Sequence, residues 1–488
     1  MIFSSVIFVF LFLPIVLLLY YIFVAISRIN FLKSIYNVKN TCRNIENIIL
    51  FIASIFFYAW GEPKFVIIML FSIVFNYLSG MLIERFRKNK VISLILMLFI
   101  IASNLSVLFL FKYLNFFITN INILFNLDIM LVNIRLPIGI SFFTFQAISY
   151  VIDVYRKDVS VQKNILNVGL YISFFPQLIA GPIVRYKTIS MQINDRVENM
   201  QDFTEGVYRF IIGFIKKILL SNNLALIADK AFSMKMTELS FIFSWLGAIA
   251  YTFQIYYDFS GYSDMAIGLG RMFGFKFDEN FNYPYISRSI SEFWRRWHIS
   301  LGQWFRDYIY IPMGGSRVKN KSKLVFNLFV VWILTGIWHG ANWTFVLWGM
   351  IYFVFIAFEK LSNFEKRNHG KLKNIISYIY TMIIVVFCWV IFRSENISYA
   401  IDYIKAMLCI NVKFTDSSAL LYFKENIIIL AISVLACMPL GKEILNKLND
   451  RKKYIVYFIT DIVLLFLFVV SISYLIKGVY NPFIYFNF

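Results

Sequence analysis

A chain of 488 residues that is 60% hydrophobic, 19% aromatic and only 15% charged has more apolar surface than a water-soluble core can absorb, which excludes a soluble globular enzyme. Its formal charge of +20 would suggest nucleic acid in a soluble protein, but the Lys and Arg residues fall in short clusters between apolar runs. Cytoplasmic loops and anionic lipid account for them, and no nucleic-acid partner is expected.

The first residues, MIFSSVIFVFLFLPIVLLLYYIFVAISR, have no basic residue ahead of the apolar run and no small-residue cleavage site after it, so a retained transmembrane anchor is expected. Apolar runs follow near 47–60, joined loosely to 64–83, then 91–112, 136–154, 165–183, 207–227, 240–257, 324–338, 341–358, 375–392, 425–440 and 454–476. A helix needs about 20 apolar residues to cross, so the pattern predicts about ten to twelve spans with several shorter runs re-entrant. Basic clusters at Arg28, Lys33, Lys39 and Arg43, at Arg85, Arg87, Lys88 and Lys90, and at Lys447, Arg451, Lys452 and Lys453 place those loops in the cytoplasm and the N-terminus outside. Cys42, Cys388, Cys409 and Cys437 show no CxxC pairing and suggest neither disulfides nor a metal site.

Polar residues inside the apolar pattern mark the candidate site. Gln146, Ser149, Tyr150 and Asp153 recur at i, i+3, i+4 and i+7, a stripe that faces a bundle interior and either binds substrate or joins helices. FFPQLIAGPIVRY breaks its run with Pro176, Gly181 and Pro182, and YYDFSGYSD inserts Asp258, Ser260, Gly261 and Asp264. Backbone freed by such breaks must be satisfied within protein, so both stretches are expected to point inward, as kinks and caps or as chemistry. Over 291–310, SEFWRRWHISLGQWFRDYIY, a helical wheel puts Trp294, Trp297, Leu301, Trp304, Phe305 and Tyr308 on one face and Arg296, Ser300, Gln303 and Asp307 on the other. That predicts one amphipathic helix with His298 on its aromatic side, at least partly buried. Arg295 and Arg306 flank the polar face and either hold a phosphorylated ligand or anchor to headgroups.

His339 stands in TGIWHGANWT, deep in an apolar stretch where an ionisable side chain is a functional candidate. Burial disfavours imidazolium, leaving a neutral ring that either serves as a general base or packs on a neighbouring carbonyl. Gly336 and Gly340 allow close approach beside it. There is no HExxH, P-loop, GxGxxG after a strand, or GxSxG elbow, so neither a local histidine metal pair nor a self-contained serine acyl-enzyme is expected. His369, among solvated charges, reads as an ordinary loop residue.

SFFTFQAISYVIDVYR, FFPQLIAGPIVRY, YYDFSGYSDMAIGLGRMFGF, NFNYPYISRSISEFWRRWHISLGQWFRDYIYIPMGG and LTGIWHGANWTFVLWG resemble the signature stretches of the membrane-bound O-acyltransferases, and within them the bacterial alginate O-acetylation branch. The likeness covers most of the chain and weakens after about residue 400. It implies an all-α multi-pass protein of the bacterial plasma membrane, one integral membrane domain over 1–488, with N-terminal spans in 1–135, core motifs in 136–358 and C-terminal spans in 375–476. Re-entrant and in-plane helices would surround a central tunnel.

It further implies His339 as the catalytic histidine and His298 as a second active-site histidine, positioning the acyl donor or stabilising an oxyanion. Trp338, Arg295, Arg296, Asp258, Gln146 and Asp153 are the candidate substrate contacts. The donor would be acetyl-CoA, with no tightly bound cofactor, and the acceptor a hydroxyl of an extracellular polysaccharide. An extracytoplasmic partner with an SGNH, serine esterase-like site would complete the transfer. Asn342 departs from the small residue expected after WHGA. D-alanyl transfer to a cell-wall polymer and a non-catalytic transporter are the competing readings.

Overall fold

The computed structural model describes residues 1–28, 38–367, 370–478, 480–482 and 484; Lys33 and His369 lie outside them. All regular structure among the described residues is helical. Among the described residues ten helices are long and apolar enough to cross a membrane: Phe8–Ser27, Thr41–Gly61, Val66–Arg85, Lys90–Lys112, Met200–Ser233, Lys321–His339, Trp343–Ser362, Lys371–Arg393, Ser417–Ala436 and Lys452–Ile476. The chain is a multi-pass membrane protein. Several spans start at side chains that accept the orphan N–H groups of a helix end: Asn89 accepts from Val91 and Ile92, Asn320 from Ser322, and Asn342 from Thr344. The runs at 47–60 and 64–83 are two separate spans, divided by a turn at Glu62–Phe65 that holds Pro63.

Three of the other runs behave differently from simple spans. Ile140–Arg156 has 17 residues, and every one from Ile140 to Val154 is buried, so the Gln146 stripe is one part of a helix enclosed on all sides. The run at 165–183 divides into Ile165–Ser173 and Phe175–Leu178, broken at Phe174 ahead of Pro176. YYDFSGYSD causes no break, because Phe241–Met272 runs through it as one helix of 32 residues.

The chain forms two compact units, residues 1–210 with 262–278 and residues 211–261 with 279–488. In the first, the Ile140–Arg156 helix packs against Val66–Arg85 and Lys90–Lys112. Gly80 lies so close to it that a Cβ would sit 2.4 Å from the Tyr150 hydroxyl. A buried charge cluster joins Arg43 to Glu46 at 2.5 Å and to Glu198 at 2.6 Å, while Tyr20 donates to Glu198 at 2.6 Å. Arg196 lies 4.4 Å over the Phe275 ring and donates to Asn47. Two guanidinium groups facing two carboxylates balance the buried charge and offset part of the desolvation cost of each ion.

The second unit holds a large apolar core that includes Tyr285, Phe293, Trp297, Trp332, Trp348 and Trp389. The spans Lys321–His339 and Trp343–Ser362 form a tight helical hairpin. Its close approach depends on Gly336 and Gly349, whose Cβ atoms would meet the carbonyls of Phe345 and Trp332, each at 2.5 Å. The stretch expected to be one amphipathic helix is instead two short helices, Ile290–Arg296 and Ile299–Phe305, followed by a π-turn at Arg306–Tyr310. His298 interrupts them with φ 44° and ψ 52°, so the wheel does not pass through it.

Candidate functional site

Each histidine is placed by a helix end. At His298 the left-handed backbone costs about 1–3 kcal/mol for a residue with a Cβ and persists where its surroundings fix it. Asn280 supplies much of that fixing. Its carbonyl accepts from the Ile299 N–H at 2.9 Å, and its Oδ1 accepts from the Ser300 N–H at 3.3 Å and the Ser300 hydroxyl at 2.9 Å. Glu359, buried in the span Trp343–Ser362, accepts from the Ile290 and Ser291 N–H groups at 2.7 and 2.8 Å and so seats the first turn of the preceding short helix.

His298 is 1% exposed, with its Nδ1 3.0 Å from Asn280 Oδ1. Since a backbone N–H already donates to that Asn280 atom, it is the oxygen, and Nδ1 must be the donor. Burial, and after it the neighbouring His339, hold the His298 imidazole well below its ordinary value of 6.5. The ring is therefore neutral at physiological pH with its proton on Nδ1. Nε2 presents a lone pair, buried and with no hydrogen-bond partner among the described residues.

His339, 5% exposed, is the last residue of its span and stands at the apex of the hairpin, so it belongs to the end of the helix instead of its middle. The span's 19 residues rise about 28 Å, close to the hydrocarbon thickness. Protein rings cover the imidazole: Trp338 at 5.1 Å, Trp348 at 5.0 Å and Phe392 at 5.2 Å between centroids, all near edge-on. Gly340 leaves the helix in extended backbone, and its Cβ would fall 2.2 Å from the Phe345 ring. Asn342 restarts the helix, and its side chain also donates to the Glu395 carbonyl at 2.7 Å, which accounts for a polar residue at that position.

Trp338 joins the two histidines, its ring 6.0 Å from His298 and 5.1 Å from His339. Phe259 also packs edge-on against His298 at 4.5 Å. Two imidazoles 41 residues apart in sequence thus share one aromatic enclosure.

The remaining candidates are engaged in other ways. Arg295 pairs with Glu365 at 2.6 Å and Arg296 with Glu292 at 2.9 Å. Asp258 is buried 2.5 Å from Lys217 and also accepts from Ser221 and the Ile484 N–H. Gln146 and Asp153 belong to the first unit. Asp153 accepts from the Lys187 N–H at 3.0 Å, while the Gln146 amide is fully buried with neither Oε1 nor Nε2 hydrogen-bonded among the described residues.

Sequence reasoning missed Asn280, Glu359, Lys217 and Trp348. Two of them carried a signal: Glu359 is a carboxylate in the apolar run FVFIAFEKLS, and Lys217 is an ammonium in FIIGFIKKILL. Asn280 and Trp348 lie within the quoted signature stretches NFNYPYIS and NWTFVLWG, but nothing in those stretches sets them apart, because their importance lies in contacts distant in sequence.

Residues 156–401 match the sequence model of the membrane-bound O-acyltransferase family. The chain is 37% identical to the probable alginate O-acetylase AlgI of Pseudomonas putida, with all of both chains covered. It is 42% identical to the probable alginate O-acetylase AlgI of Pseudomonas aeruginosa, over 83% of this chain and 75% of that protein. It is 36% identical to the peptidoglycan O-acetyltransferase of Helicobacter pylori, over 84% of this chain and 80% of that one.

Proposed function

The chain belongs to the membrane-bound O-acyltransferase family, and from that membership we propose that it moves an acetyl group from cytoplasmic acetyl-CoA across the membrane toward hydroxyls of an extracellular polysaccharide. The observation that carries this reading is the convergence of His298 and His339 on Trp338 inside one buried enclosure of a membrane acyltransferase. The relatives' names, alginate O-acetylase and peptidoglycan O-acetyltransferase, support acetyl as the group and a polysaccharide as the final acceptor.

In the proposed step His339 is the general base. It removes the proton from an acceptor hydroxyl as that oxygen adds to the thioester carbonyl. Collapse of the tetrahedral adduct breaks the C–S bond, forms the ester and releases coenzyme A thiolate, which takes the proton back from the imidazolium. His298 has a narrower role than the resemblance alone implied. With its proton held on Nδ1 by Asn280, its Nε2 accepts hydrogen bonds and has none to give, which favours orienting a substrate N–H or O–H over stabilising an oxyanion.

Trp338 forms a wall of the acyl site. Arg295, exposed on the short helix Ile290–Arg296, exchanges Glu365 for a phosphate of the coenzyme, and Arg296 assists from the next position. Asp258 keeps Lys217 neutralised, and Gln146 and Asp153 line the route of the substrate through the first unit. The whole chain acts as one integral membrane domain, and an extracytoplasmic SGNH-type, serine esterase-like partner receives the acetyl group.

The test supplies the purified chain in nanodiscs with acetyl-CoA labelled in the acetyl carbon, together with membrane glycan and the extracytoplasmic protein fraction of its host. Label in an ester of glycan or carrier protein is the expected result. Label that stays on coenzyme A, with transfer seen only from a D-alanyl thioester, would overturn the acetyl reading.

A further inference from the structure

The segment between the span Lys90–Lys112 and the buried helix Ile140–Arg156 has a design of its own. Leu114–Phe125 is an apolar helix of 12 residues with no buried residue. At about 18 Å it is too short to cross a bilayer. The chain then reverses at Asn126, in left-handed backbone, and returns as irregular coil. Between Leu114 and Leu136 the only charged residues are Asp128 and Arg135. Met130 is 87% exposed, Ile123 77% and Leu124 74%. Water does not tolerate a contiguous patch of this kind on a stable surface.

Two asparagines one heptad apart bind the returning segment to the helix. Asn122 donates to the Ile129 carbonyl at 2.8 Å and accepts from the Ile129 N–H at 3.0 Å. Asn115 does the same for Val132, at 2.8 and 3.0 Å. The Ile134 N–H donates to the Val132 carbonyl at 2.9 Å. Irregular backbone on an exposed surface needs no such pairing in water, where solvent would satisfy it. In hydrocarbon each unpaired group costs several kcal/mol, and lipid-exposed irregular backbone is otherwise excluded.

The apolar surface is also continuous with a span. The rings of Phe109, in Lys90–Lys112, and Phe117, in the short helix, lie 5.9 Å apart. The root of the segment is fixed at one end of the first unit, where Arg135 pairs with Glu62 at 3.6 Å and Lys112 donates to Ser141 at 3.4 Å. That end is opposite the basic turn Arg85–Lys90, which the charge rule assigns to the cytoplasm.

We infer that residues 114–134 are a wedge embedded in the bilayer, its occupant the lipid of the leaflet facing away from the cytoplasm, with Asn115 and Asn122 pairing the backbone that lipid cannot. The inference is independent of the acyl chemistry.

The test uses the full chain in phosphatidylcholine nanodiscs. Cys409, the exposed cysteine among four free ones, is replaced by Ser, and a single reporter thiol is introduced by Met130→Cys. A fluorophore on that thiol is expected to be quenched when the lipid acyl chains are brominated. An impermeant maleimide should react roughly tenfold or more slowly than with a thiol placed by Asp158→Cys in an exposed turn, the ratio that burying one Met or Leu side chain supports. Equal reaction at both positions would show the segment in water. Protection without bromine quenching would show it against a second copy or another protein. Either result overturns the inference. Adding Asn122→Ala should lower the quenching, and unchanged quenching would overturn the role given to the asparagine pairing.

Discussion

His298 and His339 face the same indole ring, yet the chain holds them by different means. His298 sits at a break between two short helices, in left-handed backbone, with Asn280 fixing both its position and its tautomer. His339 ends a long span and is enclosed by Trp338, Trp348 and Phe392, with glycines allowing the partner helix to close against its own. The first arrangement commits a ring to one hydrogen-bonding sense, which suits orienting a substrate. The second buries a ring among aromatic edges, which suits proton transfer shielded from bulk solvent.

If that division of labour is right, the two histidines fail differently. His339→Ala should give the largest effect, a loss of acetyl transfer of about 10²- to 10⁴-fold or more with normal abundance in the membrane. A variant that inserts normally and transfers at the wild-type rate would remove His339 from the chemistry. Asn280→Ala comes next. Freed from its oxygen partner, the His298 ring loses its tautomer and its seat, and transfer should fall by roughly 10- to 100-fold, the scale of a misplaced orienting group. The fall should be reproduced by His298→Ala and should not be added to it. If Asn280→Ala and His298→Ala multiply, the asparagine acts elsewhere.

A smaller effect separates burial from catalysis. His298 has a folded-state proton affinity depressed below its ordinary value of 6.5. Below that pH the unfolded chain binds a proton that the folded ring refuses, so its contribution to stability is intact above 6.5 and is lost as pH falls from there toward the folded value. Thermal unfolding in nanodiscs should therefore shift down on acidification, and less so in His298→Gln, which cannot titrate. Equal acid sensitivity in the two proteins would place the titrating group elsewhere.

The sequence was most legible where physics is local. Long apolar runs became spans, and the break at Pro176 appeared where proline forbids a continuing helix. YYDFSGYSD was misleading, because two carboxylates in a run look like an interruption until their partners are known. Asp258 meets Lys217 and Asp264 meets Arg209 at 2.9 Å, both from the preceding helical segment, so the helix continues. The wheel over 291–310 failed at a single residue: one left-handed φ at His298 resets the phase, and periodicity contains no trace of it. Ser300, expected on the polar outer face, is consequently buried against Asn280. The histidines themselves were legible from their type and their motifs. Their meeting at Trp338 was not, because it depends on a hairpin closed by Gly336 and Gly349 and on a loop seated by Glu359.

The most direct test of two rings acting as one site compares labelled acetyl transfer by His298→Ala, His339→Ala and the double variant, at matched abundance in nanodiscs. Two groups serving one step are non-additive, so the double variant should be no slower than His339→Ala alone. A double variant slowed by the product of the two single losses would mean that the histidines work independently, and the shared site would have to be abandoned.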